Sequence, residues 1–140
     1  EGIRLCGEVL TLSDVTVPLC AVACETDHIA AWKASFAGIS RMGSGDKTFV
    51  LAESGHVAGV INPPGKDKYG HYLGVAPEGA SEQWRSSAQR HSGSWWPSWE
   101  GWLRQRAGAD VDARLPGTGN HPVLGEAPGE YVRSKLPAGQ

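Results

Sequence analysis

The chain has 140 residues, with 13 Lys and Arg against 15 Asp and Glu, a formal net charge of -2 and 40% hydrophobic residues. That length suits one domain or a piece of a larger one, and a mean hydropathy of -0.31 with no apolar run near the ~18 residues of a membrane span excludes a helical membrane protein. The slight acidic excess argues against a general polyanion binder, and 19 glycines with 9 prolines stay below the roughly 25–30% share of a low-complexity chain.

The chain opens at Glu1 without a basic-then-apolar leader, and its single methionine is Met42, so it is expected to be a fragment or to have lost its start. Cys6, Cys20 and Cys24, with no export signal, read as reduced thiols of a cytosolic protein. Residues 9–12 form a short apolar stretch. Residues 17–24 are small and β-branched on both faces, the pattern of a buried strand in a parallel sheet. Residues 30–39 read as a helix, with Trp32, Phe36 and Ile39 on one face. After a turn at 43–46, residues 48–52 read as a second strand, which makes a βαβ unit. Pro63 and Pro64 end regular structure, and 66–79 reads as a polar loop. Residues 81–90 and 97–106 read as helices, the second with Pro97 in its first turn. Trp95, Trp99 and Trp102 share a helical stripe, which favours core packing over stacking on sugars or bases. Residues 107–140 read as an extended tail. Two strands are too few for a central sheet, so poor independent folding is expected.

Chemistry in an α/β sheet gathers at the carboxyl ends of strands. Asp27 follows the first strand and His56 the second, with enough chain between them for one crossover helix. An acid and then a histidine at successive strand ends is the second half of a nucleophile–acid–His order, in which the acid orients the imidazole and the imidazole moves the nucleophile's proton. The bland alternative is that Asp27 is a turn or cap residue. Gly55 is expected to supply an unusual backbone angle that lets the ring turn inward. His28 is expected to shape the loop or face a neighbouring segment. No Gly-x-Ser-x-Gly or Gly-x-Cys-x-Gly elbow occurs, and Cys24, in a small apolar strand, reads as a buried thiol rather than a nucleophile. No His or Cys spacing suggests a metal site.

Several stretches carry a family resemblance. Glu25-Thr26-Asp27-His28-Ile29-Ala30-Ala31-Trp32 resembles the Glu-Asp-His-Ile-x-Pro-Trp segment of class I polyhydroxyalkanoate (poly-3-hydroxybutyrate) synthases. Ser54-Gly55-His56-Val57-Ala58-Gly59-Val60-Ile61-Asn62-Pro63-Pro64 is similar to their Ser-Gly-His-Ile-Ala-Gly-Val-Ile-Asn-Pro-Pro signature. Gly93-Ser94-Trp95-Trp96-Pro97-Ser98-Trp99 resembles their Gly-Ser-Trp-Trp-Pro-Asp-Trp motif, and Ala127-Pro128-Gly129-Glu130-Tyr131-Val132 a segment near their end. The pieces keep the family's order. Ala31, Ser98 and Val57 depart from it, and none is the proposed acid or histidine.

The resemblance implies the C-terminal portion of an α/β-hydrolase fold, with the last βαβ unit, C-terminal helices and a tail. Residues 1–106 would be the end of the catalytic domain and 107–140 the extended tail. It implies an acyltransferase that polymerises (R)-3-hydroxyacyl groups and releases coenzyme A, with Asp27 and His56 as catalytic residues and His28 and Gly55 in support. Asp27 would orient His56 or activate the incoming 3-hydroxyl. The nucleophilic Cys lies in the family's upstream elbow, so the chain alone is expected to be inactive. No metal or organic cofactor is implied beyond the coenzyme A thioester substrate. The implied partners are that thioester, the growing polyester and a second subunit in a homodimer, with no nucleic acid. The implied setting is the surface of cytoplasmic storage granules. The rival readings are a polyester depolymerase or esterase fragment, and a non-catalytic remnant or docking half.

Overall fold

The computed structural model describes residues 2–75 and 79–135. The chain divides into two units, residues 1–107 and 108–140.

In the first unit, β1 (Ile3–Leu5) and β2 (Glu8–Leu10) form an exposed antiparallel hairpin. Its turn is Cys6-Gly7, both at positive φ, and Gly7 takes that region without a Cβ penalty. The main sheet follows. Strand β3 (Leu19–Cys24) leads through helix α1 (Trp32–Ser40) to β4 (Lys47–Ala52), which pairs with it in parallel. Strand β5 (His71–Val75) runs antiparallel to β4, helix α2 (Ser81–Ser87) follows, and β6 (Gln89–His91) closes the order β3-β4-β5-β6. Helix α3 (Trp96–Arg104) completes the unit. The result is a mixed α/β layer structure.

The period-2 pleat explains the two apolar faces. Ala21, Ala23, Phe49 and Leu51 point to one side, where Trp32 and Phe36 of α1 and Trp84 of α2 cover them. Cys20, Val22, Cys24, Val50 and Ala52 point to the other, under Trp95 and Trp96 at the start of α3. Phe49 is fully buried and sits edge-on to Phe36 and Trp84, with ring centroids 5.4 and 5.0 Å away. A Cβ on Gly74 would fall 2.6 Å from the Trp84 indole nitrogen, so only glycine lets β5 lie under that ring.

The structure corrects several sequence expectations. Among the described residues the sheet has four strands, not two, because part of the expected polar loop at 66–79 is β5 and the end of the expected helix over 81–90 runs into β6; residues 76–78 lie outside the described residues. The polar residue that disguised β5 is His71, which is 2% exposed and donates from Nδ1 to the Gly93 carbonyl at 3.1 Å. The helix expected over 81–90 stops at Ser87, and 89–91 is strand. The Trp stripe is only partly core. Trp95 is 8% exposed, whereas Trp99 is 42% exposed and rests edge-on against Trp95.

In the second unit, residues 108–135 are exposed apart from Gly129, and their one described element is a 3₁₀ turn at Tyr131–Arg133. Among the described residues, no helix is long and apolar enough to cross a membrane.

Candidate functional site

The parallel pair β3–β4 continues its hydrogen bonding beyond both strand ends. Glu25 N–H donates to Ala52 O at 2.8 Å, and Thr26 N–H to Ser54 O at 3.0 Å. The second bond needs a sharp turn of the chain. Ser54 provides it with φ of 80°, a left-handed angle that strains a residue with a side chain. The unusual angle expected at Gly55 therefore falls one residue earlier. A Cβ on Gly55 would meet Thr26 only at an ordinary 3.7 Å, so neither angle nor space singles out that glycine.

These turns bring Asp27 and His56 together. His56 Nδ1 lies 2.7 Å from Asp27 Oδ2. The other carboxylate oxygen, Oδ1, accepts from the N–H groups of Ile29 at 2.8 Å and Ala30 at 2.9 Å, which fixes the loop around the acid. Asp27 is thus both the turn residue of the bland reading and the partner of the histidine. Its side chain is 6% exposed, against 48% for His56. The Ala30 N–H, then His56, and with them the Ile29 N–H outweigh burial and lower the Asp27 carboxyl from its ordinary 3.8 to about 2. At neutral pH this carboxylate can only accept, so the shared proton sits on Nδ1 of the imidazole. In the neutral imidazole Nε2 is then the acceptor, and among the described residues nothing bonds to it.

His28 is exposed and makes no side-chain hydrogen bond among the described residues; the Asp27 carboxylate shapes this loop. Cys24 is 2% exposed, and burial first and Asp27 second raise its thiol above the ordinary 9.0. Burial likewise raises Cys20. Both are neutral thiols at neutral pH. No cluster of metal-ligating side chains occurs among the described residues.

The segment after His56 is a double turn. Gly59 N–H donates to Gly55 O at 2.9 Å and Ile61 N–H to Val57 O at 2.8 Å. Gly59 lies directly on Cys24, since a Cβ there would come 2.6 Å from Sγ. The indole N–H groups of Trp95 and Trp96 donate to Gly59 O and Val60 O, each at 3.0 Å. Asn62, 4% exposed, donates to Tyr69 O at 3.0 Å. Reading the sequence for chemistry missed this scaffold; its only signal was the pair of adjacent tryptophans.

A carboxylate and an imidazole joined across the ends of two parallel strands, with one ring nitrogen unengaged, make an acid–histidine pair on an α/β scaffold. Comparison with known proteins gives the family. The chain is 46% identical over 129 residues to the poly(3-hydroxyalkanoate) polymerase subunit PhaC of Rhizobium meliloti (strain 1021), covering 92% of this chain and 21% of that protein. It is 47% identical over 137 residues to the poly(3-hydroxyalkanoate) polymerase of Methylorubrum extorquens, covering 96% of this chain and 22% of that protein. To PhaC of Cupriavidus necator it is 38% identical over 134 residues, covering 95% of this chain and 23% of that protein. No protein-family model matches the chain. The chain corresponds to a C-terminal part of a polyhydroxyalkanoate synthase and spans about a fifth of the length of these relatives.

Proposed function

We propose that Asp27 and His56 are the acid and base of a cysteine-dependent acyltransferase that joins (R)-3-hydroxyacyl groups from coenzyme A thioesters into polyester. The observation that carries this reading is the 2.7 Å contact between His56 Nδ1 and Asp27 Oδ2, which leaves Nε2 unengaged. In this reading residues 1–106 are the end of an α/β-hydrolase-type catalytic domain, and 107–140 are its tail. In this reading the nucleophilic Cys comes from outside residues 1–140: Cys24 is buried under Gly59, Cys20 lies near the start of β3, away from the strand end that leads to Asp27, and Cys6 sits in the exposed β1–β2 turn.

Nε2 takes the proton of the nucleophilic thiol, and the thiolate attacks the thioester carbonyl. The C–S bond to coenzyme A breaks, and the imidazolium returns its proton to the leaving thiolate. Asp27 holds the Nδ1–H tautomer and stabilises the imidazolium between these steps. Both Asp27 oxygens already accept hydrogen bonds, which supports the orienting role over direct activation of the substrate hydroxyl. The chemistry draws on no metal or organic cofactor. The product is insoluble, which suits a dimeric enzyme at the surface of cytoplasmic granules.

The test is a chimera in which residues 1–140 replace the matching stretch of the Methylorubrum extorquens polymerase. It is expected to release coenzyme A from (R)-3-hydroxybutyryl-CoA and to build polymer, and His56→Gln is expected to abolish both. The 140-residue chain alone is expected to do neither. Turnover by the chain alone, or an undiminished rate in His56→Gln, overturns the proposal. A chimera that hydrolyses polyester without building it supports the rival depolymerase.

A further inference from the structure

The double turn carrying His56 ends on two prolines. Its pattern is N–H of residue i+4 to carbonyl of residue i, seen from Gly59 to Gly55 and from Ile61 to Val57. Carried on past Asn62, that pattern would bring the N–H groups of residues 63 and 64 to the carbonyls of Gly59 and Val60. Both residues are proline and have no N–H. Those two carbonyls are the ones that accept the indole N–H groups of Trp95 and Trp96. Two adjacent side chains from the start of α3 therefore take the place of two missing backbone donors. Indole nitrogen donates only, so each bond fixes the direction of its carbonyl as well as its position.

His56 lies inside this turn, between Gly55 and Val57, and among the described residues its ring makes one side-chain hydrogen bond, to Asp27. The ring is half exposed and gains little orientation from packing. Its direction follows from how the turn is held. The holding points are the Trp95 and Trp96 bonds and the contact of Gly59 with Cys24 Sγ. Trp95 is buried, and Trp96 is only half buried.

From this we infer that Trp95 and Trp96 are positioning residues for His56, acting through the carbonyls that Pro63 and Pro64 leave without a backbone donor. The inference deepens the acyltransferase reading and rests on it for its link to rate. Its structural half stands on the imidazole alone.

The experiment replaces each tryptophan with benzothienylalanine, which keeps the ring shape and lacks the N–H, and with Phe. Trp102→Phe is the control, since the Trp102 indole N–H is buried without a partner among the described residues. The first readout is the His56 tautomer at neutral pH, from imidazole ¹⁵N shifts of the chimera, with the His56 signals assigned by their loss in His56→Gln. The parent and Trp102→Phe are expected to hold the Nδ1–H form, and the position 95 and 96 variants to move to mainly Nε2–H. The second readout is coenzyme A release by the chimera, where the same variants are expected to lose about 10- to 100-fold in kcat with little change in KM. If benzothienylalanine at 95 disrupts folding, the half-buried position 96 decides. An unchanged tautomer in folded variants at 96 overturns the inference, whatever their rate of coenzyme A release. An inactive parent chimera with the tautomer shift present sinks the acyltransferase reading and leaves the positioning role standing.

Discussion

Asp27 divides its carboxylate between two tasks, with Oδ1 on the Ile29 and Ala30 N–H groups and Oδ2 on His56 Nδ1. The division makes Asp27→Asn an informative change. The amide oxygen can keep the loop bonds, but the amide nitrogen then donates toward Nδ1. The imidazole must move its proton to Nε2, and the base is lost while the loop stays closed. Coenzyme A release in the chimera is expected to fall by about 10⁴-fold, the scale of the same change in serine-protease triads. Retained circular dichroism shows that the loss is not unfolding. A drop of less than tenfold argues against Asp27 as orienter.

The sheet's inner layer should fail at Phe49. This ring is fully buried and touches Phe36 and Trp84 edge-on. Phe49→Ala removes transfer energy and leaves a cavity between β4 and both helices, at a cost of about 3–5 kcal/mol. Denaturant melts of the 140-residue chain measure this against Trp99→Ala, where the ring is 42% exposed and the cost should be smaller. If the parent chain unfolds without a cooperative transition, four strands are too few to fold alone. That outcome would support the sequence expectation of poor independent folding.

Much of this was legible in the residues, for a physical reason. Segments β3, α1 and β4 announce themselves because each buries a whole face or stripe, and period alone separates strand from helix. Asp27 and His56 were legible because their strands end beside them. Strand β5 was hidden, since its burial places His71 where a sequence reading expects a loop. The strain at Ser54 was hidden too, because glycine next door is the usual carrier of a left-handed angle. The tryptophan bonds to Gly59 and Val60 join residues 36 apart. No local pattern reports the direction of an indole N–H, so the helical stripe assigned Trp95 to the core and gave Trp96 no place.

Gly59 carries a second testable constraint. A methyl group at this position would sit 2.6 Å from Cys24 Sγ and 3.0 Å from the carbonyls of Glu53 and Gly55. Gly59→Ala is expected to destabilise the chain by about 1–3 kcal/mol through overpacking. Cys24→Ala in the same chain removes the nearest obstacle and should return part of that loss, though not the part owed to the two carbonyls. Urea midpoints of the four proteins in this cycle give the coupling, expected at about 0.5–3 kcal/mol. Strict additivity would mean that the turn does not rest on the thiol.

Acid should unfold the protein in two separable windows. Burial first, and the stacked His91 ring after it, push His71 below its ordinary 6.5, while the Gly93 carbonyl and Glu53 act the other way. A histidine lowered in the folded state binds protons more weakly there than in the unfolded chain. Its stability contribution is therefore complete above 6.5 and is lost as pH falls through the folded value. Asp27 is lowered for a different reason, and its contribution is complete above 3.8 and lost as pH falls through about 2. The melting temperature is expected to decline first below 6.5 and again below 3.8. His71→Asn, whose amide can still donate to Gly93 O, should flatten the first decline and leave the second; Asp27→Asn should leave the first and reduce the second, of which Glu53, held low by its Arg90 hydrogen bond, keeps a share. A first decline that persists in His71→Asn would assign it to a histidine other than the one buried in β5.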